Sequence, residues 1–407
     1  MSAPLVSVVI PSKDRASYAV HCVRTVTSLP GDEVEVVVQD NSATDDLGRL
    51  LSERGDPRIR YEHRGERMSV IDNCALGMSR ARGEYVTLLG DDDAVTPALL
   101  AAARWAAHED LDAVTPSRAA WYVWPDVTFA RHGTAYAGTL TVRPFTGRVA
   151  EQDPAAGLRR SMHDAFQDLV DTVSLPKLYY GLVHRRCLEA LRAAAGSIFP
   201  GVSPDMSVAI GLTPYVRRFV SLDYPVFLPG SSAKSTAGAH ARKQHVGRLA
   251  DQAHLPPDSE SRWPIEVPAV FTVQTVWAQS GLAALRATGR ETLARSLDLG
   301  YLHAMCGTLN AGYWPIVLPS YWRATEAAGR SRPVAAAALA VGVARTWMLR
   351  ARYLLGRLAR VPWYVGEHVE SDLPDVFQAS LALERWVRSR GHPAKPGPAP
   401  PWGTLAT

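Results

Sequence analysis

Three consecutive acids, Asp91, Asp92 and Asp93, follow directly on the apolar run "EYVTLLG", residues 84–90. Adjacent carboxylates repel one another, so the cluster needs a reason. A single acid would be enough to start the helix-like "ALLAAARWAAH" behind Pro97, because acids are favoured at the positive end of a helix. Three in a row gain more from a cation. Hard divalent ions such as Mg²⁺ and Mn²⁺ take oxygen ligands and often join one or two carboxylates to substrate phosphates. Two further acids have the right type for chemistry: Asp40 in "VVVQDNS" and Asp205 in "SPDMS". Each also has a plainer reading. Asp40 suits an Asx turn at a strand end, and "SPD" is a good helix start.

Such acids need elements that bring them together. Short β-branched runs, "LVSVVIP", "EVEVVVQD", "RIRYEHR" and "EYVTLLG", alternate with helical spacing in "SYAVHCVRTVTSL", "TDDLGRLLSER" and "SVIDNCALGMSRA". The alternation predicts an α/β fold with a mostly parallel sheet flanked by helices. Ligands of such sheets bind beyond the carboxyl ends of the strands. Three polar clusters converge there: "PSKDR", "QDNSATDD" and "GDDD". "DAVTP" reads as one more strand, and residues 116–170 as a source of antiparallel strands. The expected organisation is a catalytic-type domain over 1–240, a linker or loop over 241–265, a mainly helical C-terminal region over 266–390 and a disordered Pro/Gly-rich tail over 391–407.

Composition narrows the class. The chain has 407 residues, 47% hydrophobic and 21% charged, ordinary globular material with room for two domains. A net charge of +4 is too mild to argue for nucleic acid. The four cysteines form no CxxC pair and read as buried thiols of a reducing compartment. The short N-terminal apolar run has no basic segment before it, so no signal peptide is expected. No apolar run is expected to reach the length of a membrane span. These points together predict a cytoplasmic protein. There is no GxGxxG after the first strand and no GxxxxGK[ST] anywhere, against a dinucleotide-binding dehydrogenase and a P-loop ATPase.

Four segments in this order, "VSVVIPSKDR", "VEVVVQDNSATDD", "ARGEYVTLLGDDD" and "YYGLVHRRCLEAL", resemble the family-2 nucleotide-sugar glycosyltransferases with the GT-A fold. The resemblance covers roughly residues 5–240. It implies that Pro11, Ser12, Asp14 and Arg15 lie beside the nucleotide and that Asp40 contacts its base or ribose. It places Asp91 and Asp92 in a DxD-like element, with Asp92 holding a divalent cation, Mn²⁺ or Mg²⁺, on the diphosphate and Asp93 completing the cluster. Asp205 matches the general base, although Pro204 stands where the family usually has a second acid. Gln39 and Ala75 are further departures, and Asn73 is the substitute for the latter. Arg67 is a candidate for the diphosphate, His240 for the metal, and Tyr180 and Gly181 for the acceptor side. The implied donor is a nucleotide sugar, UDP by default with GDP or dTDP as alternatives. The implied acceptor is a glycan, a lipid-linked saccharide or a small molecule.

The implied chemistry suits the residue types. A cation neutralises charge on the departing diphosphate, and a carboxylate on the opposite face deprotonates the attacking hydroxyl, worth about 10²–10⁴-fold. Two other classes compete. A nucleotidyltransferase shares the fold, but "IPSKDRASY" lacks the glycine-rich triphosphate loop. A non-catalytic carbohydrate- or nucleotide-binding protein is disfavoured by retention of the triad and Asp205. Between Arg332 and Gly366 there are six arginines and no acid. With Arg345, Arg350, Arg352, Arg357 and Arg360 opposite Trp347, Met348 and Leu354, the segment reads as a peripheral membrane helix. The commoner reading is a helix packed on the catalytic domain with its arginines in water.

Overall fold

The computed structural model describes residues 3–130, 132–169, 172–235, 246–252, 254–358 and 367–390, with no side-chain description for residues 353 and 356–358. His240, His245, Arg242 and the tail from 391 lie outside the described residues. The first half follows the alternating pattern: β1 (Val6–Ser12), α1 (Ala16–Thr27), β2 (Val34–Asp40), α2 (Asp46–Ser52), β3 (Ile59–His63), α3 (Val70–Ser79) and β4 (Tyr85–Leu88). Then come β5 (Ala94–Val95), α4 (Ala98–His108), β6 (Ala113–Pro116), β7 (Ala120–Val123), β8 (Thr139–Val142), β9 (Val149–Glu151) and α5 (Pro154–His163). β10 (Leu182–His184), α6 (Arg185–Ala195), α7 (Pro204–Gly211), β11 (Phe219–Leu222), β12 (Phe227–Leu228) and β13 (Gly230–Ser231) complete the first part.

The main sheet has eight strands in the order β3-β2-β1-β4-β10-β6-β11-β9. β1 pairs in parallel with β2 and β4, β2 with β3, and β6 with β11. β10 runs antiparallel between β4 and β6, and β9 antiparallel on the edge. The central strands are buried on both faces, as their continuous β-branched runs require. "DAVTP" yields only the two-residue β5, which pairs with β12 outside the main sheet. The antiparallel strands expected between 116 and 170 form a smaller sheet, β13-β7-β8-β14, where β14 is His368–Glu370.

The C-terminal helices are α8 (Val273–Ala287), α9 (Glu291–Ala294), α10 (Leu299–Leu309), α11 (Trp314–Ala327), α12 (Arg332–Leu358) and α13 (Val376–Ser389). They do not form one separate body. β14 pairs with β8, and α13 buries Val376, Ala379, Ala382, Leu383 and Val387 in the same core as α1 and β1. The last described stretch, 367–390, thus packs into the same core as β1 and α1, although it falls within the helical C-terminal region expected over 266–390. Residues 246–252 and 254–265 are turn-rich but docked: Leu249 and Leu255 pack with Val202 and Phe271.

Within the helical region α10 and α12 cross closely. A Cβ on Gly342 would lie 2.5 Å from the Gly300 carbonyl oxygen, and one on Gly300 would lie 2.7 Å from that of Ala338. Beyond Thr346, none of α12's described side chains is buried. Arg332–Arg352 is long and apolar enough to cross a membrane by length and composition; the interrupting Arg345 hides this from a search for unbroken apolar runs. Gly342→Leu should lower unfolding stability by about 1–3 kcal/mol, because overpacking forces the helices apart. Ala344→Leu, on the exposed face, should stay within about 0.5 kcal/mol. Urea midpoints measure both, and an unchanged midpoint for Gly342→Leu would refute the close crossing.

Candidate active site at the carboxyl edge of the sheet

The strand register brings the acids to one level. Ser12 pairs with Asp40, and Val9 with Leu88; three residues further along, Ser12 faces Asp91. Its Oγ donates to Asp91 Oδ2 at 2.7 Å. Arg15, just before α1, spans the next two acids. Its guanidinium lies 2.7 Å from Asp91 Oδ1 and 2.9 Å from Asp92 Oδ2. Ser232, beyond β13, donates both its N–H at 3.0 Å and its hydroxyl at 2.7 Å to Asp92 Oδ2.

Asp93 has a different environment. Its Oδ1 accepts the Gly230 N–H at 2.6 Å, and its Oδ2 accepts the Gly90 N–H at 2.9 Å and the Tyr179 hydroxyl at 3.0 Å. Both glycines are needed there. A Cβ on Gly90 would sit 2.4 Å from Asp93 Oδ2, and one on Gly230 1.8 Å from the Asp92 carbonyl oxygen. The sequence reading grouped Asp93 with the metal acids; here the protein's own donors take both its oxygens, as suits an anchor for the turn. That leaves Asp92 Oδ1 as the triad oxygen with no donor among the described residues.

Burial sets the electrostatics. All three acids are under 5% exposed. Burial pushes Asp91 up to about 6, with Arg15 opposing and Asp92 adding. Burial, with the charge of Asp92 added, pushes Asp93 up to about 7. Burial works against the charge of Arg15, but Asp91 and Asp92 outweigh it and hold its pKa above the ordinary value.

Asp40 is fully buried. Its Oδ1 accepts from the Ser42 N–H at 2.9 Å and from the Ser42 hydroxyl, and its Oδ2 from Tyr61 at 2.9 Å, so the Asx turn is present. Asn73 donates to the Ser12 carbonyl at 3.1 Å, tying α3 to the end of β1, while its Oδ1 has no partner among the described residues. Asp14 has φ 54° and accepts from the Ala43 N–H at 3.0 Å. Lys234 caps the Asp14 carbonyl at 3.0 Å. Arg67 sits on an exposed turn and has an interaction of its own, but is not among the cavity residues.

A cavity of about 700 Å³ opens over the triad, lined by Pro11, Arg15, Asp91, Asp92, Asp93, Tyr180 and Asp205 among others. Gly181 is not among its lining residues; a Cβ there would meet the Lys177 carbonyl oxygen at 2.1 Å. Asp205 stands in the first turn of α7. Its Oδ1 accepts from the Ser203 hydroxyl and from the Met206 N–H; no donor reaches Oδ2 among the described residues. The helical region fixes this loop: Ser280 Oγ accepts the Ser203 N–H at 2.8 Å, and Gln279 the Val202 N–H at 3.0 Å. Residues missed by sequence reasoning also line the cavity: Arg118, Lys177, His254, Phe271 and Trp277. Ser232 was missed too, although "PGSS" just after an apolar run was a readable signal.

Asp91 and Asp93 titrate higher folded than at their ordinary value of 3.8. Their contribution to stability is therefore full below about pH 4 and is lost as pH rises through about 6 to 7. In EDTA at fixed ionic strength, the melting temperature of Asp91→Asn should gain on wild type between those limits. A constant gap would contradict the raised pKa of Asp91.

Residues 7–165 match the family model for Glycosyl transferase family 2. Glycosyltransferase GlyG of Streptococcus pneumoniae is 30% identical over 93 residues, 22% of this chain and 31% of that protein. A Campylobacter jejuni protein named GalNAc(5)-diNAcBac-PP-undecaprenol beta-1,3-glucosyltransferase is 26% identical over 109 residues, 26% of this chain and 35% of its own. The match thus spans about a third of these curated relatives. The structure of mannosyltransferase PcManGT from Pyrobaculum calidifontis, with GDP-Man and Mn²⁺, superposes with TM-score 0.42 at 19% identity, over 89% of this chain and 88% of that one. By its strand-end motifs and by this match, the stretch 7–165 is similar to glycosyl transferase family 2.

Proposed function

We propose that the protein transfers a glycosyl group from a nucleoside-diphosphate sugar to an acceptor hydroxyl, inverting the anomeric carbon with the help of Mn²⁺ or Mg²⁺. The observation that carries this reading is a pair of uncommitted carboxylate oxygens, Asp92 Oδ1 and Asp205 Oδ2, on residues that line one cavity. The triad fits a divalent cation. A guanidinium already occupies a cation's place between Asp91 and Asp92, and Asp92 keeps an oxygen open. Among the described residues no three His, Cys, Asp or Glu side chains form a metal group, so phosphate oxygens and water would complete the shell. When bound, the cation neutralises charge on the departing diphosphate.

The chain's own groups do the rest. Ser12, Asp14 and Arg15 at the end of β1, with Asp40 and Asn73, shape the nucleotide side; UDP is the default base, with GDP and dTDP as alternatives. Ser203 and the Met206 N–H hold one oxygen of Asp205 and aim the other at the acceptor hydroxyl, whose proton it takes as the new bond forms. Asp205→Asn should lower kcat at least about a hundredfold with donor affinity nearly unchanged, because the lost group acts only in the transition state. Asp92→Ala should instead weaken nucleoside-diphosphate binding in Mn²⁺. Normal kcat in Asp205→Asn with a lowered melting temperature would reduce Asp205 to a helix starter.

The relative with undecaprenol in its name supports a lipid-linked or surface-glycan acceptor met at the cytoplasmic leaflet. α12 suits that location. Ala340, Val341, Ala344, Trp347, Met348 and Ala351 are all exposed and follow one helix face at spacings of three and four. Arg350 and Arg352 flank that face and are exposed as well. Arg345 does not join them: it pairs with Asp164 and lies 3.8 Å over the Tyr301 ring. Wild type should co-sediment with anionic vesicles, and a variant with Arg350 and Arg352 changed to Glu should lose most of that binding. Equal, negligible binding by both would remove the membrane contact.

A further inference from the structure

The cavity lining also carries a cation that pairs with neither the triad nor Asp205. Arg118 follows β6 by two residues and lines the cavity. It is half-buried, and its Nε is shut away from solvent without an acceptor among the described residues. No carboxylate lies within ion-pair distance of it among the described residues. Its charge acts on the Tyr180 phenol, which borders the same space. Lys177, which has a partner of its own, brings a second positive charge there; its backbone N–H is held by Thr115 Oγ1 at 3.1 Å.

The sheet order measures where this cation lies. β6 is two strands from β4, across β10, and three from β1. At ordinary strand spacing Arg118 stands about 10 Å from the end of β4, on the side away from β1 and β2. In the glycosyl-transfer reading, on which this inference rests, that is the side of the transferred sugar and acceptor. A half-buried guanidinium with a free N–H is unfavourable until an acceptor meets it, and its planar fork matches a carboxylate or phosphate. We propose that Arg118 receives an oxyanion carried on the transferred sugar or on the acceptor, so that one substrate is an acidic saccharide.

The test uses the full chain with Mn²⁺. Thermal shifts with UDP, GDP and dTDP first identify the nucleotide; failure of all three counts against the transfer reading and leaves the anion assay to judge Arg118. Glucuronate, inorganic phosphate and glucose are then titrated at fixed ionic strength, with that nucleotide present, onto wild type, R118Q and R118K. Glucuronate or phosphate should bind wild type while glucose does not. R118Q should weaken that binding about tenfold, R118K should restore part of it, and nucleotide affinity should be equal in all three. Glucuronate binding alone assigns a uronate, and phosphate binding alone a phosphorylated saccharide. A preference for UDP-glucuronate over UDP-glucose that R118Q abolishes puts the anion on the donor; its absence puts it on the acceptor. Anion binding that is absent or unchanged across the three proteins would overturn the proposal. So would loss of nucleotide affinity in R118Q, which would move Arg118 to the diphosphate.

Discussion

Three buried carboxylates in consecutive positions are the constraint around which the rest of this structure is arranged. Unpaired, they could not remain charged at the end of an apolar strand. Each is compensated by a different part of the chain. Asp91 takes Ser12 and Arg15 from the β1 turn, Asp92 takes Arg15 and Ser232, and Asp93 takes Gly90, Gly230 and Tyr179. Segments as far apart as Arg15 and Ser232, 217 residues in sequence, meet here because that is where the negative charge has to be met. Removing one partner of such a buried pair typically costs about 3–5 kcal/mol, which gives Arg15 a structural role beside the binding role proposed for it.

The triad divides its work. Asp93 is committed on both oxygens and fixes the turn against β13 and the Tyr179–Tyr180 pair. Tyr180 sits at φ 59°, a left-handed conformation unusual for a bulky residue and common at functional sites. Asp92, held through one oxygen, keeps the other available. Asp205 repeats this arrangement across the cavity, supported there by Ser280 and Gln279 of α8. One carboxylate therefore depends on the sheet and the other on the helical region.

Much of the sheet could be read from the chain because its signals are local. "VSVVI" and "VEVVV" are continuous β-branched runs, and only a strand buried on both faces needs that pattern. The acid triad and the Asx turn at Asp40 were legible for the same reason. β10 is three residues long and runs against its neighbours, and no periodicity marks so short an element. Arg118 and Trp277 reach the cavity only through tertiary packing. Arg345 fitted an exposed basic stripe by helical spacing until Asp164 and Tyr301, far away in sequence, claimed it. The final helix looked like part of a helical appendix because its amphipathic pattern does not reveal which core it covers.

That final helix covers a core built mainly from the first strands and helices. Arg24 of α1 stacks 3.9 Å from the Phe377 ring, Ser380 donates to the Val95 carbonyl at 3.0 Å, and Tyr122 donates to the Leu373 carbonyl at 2.7 Å. Ser380 lies 285 residues beyond Val95, so the cover of the groove between α1 and β5 comes from the far end of the described chain. A chain cut before residue 367 would keep every carboxylate of the site and leave that apolar groove open to water.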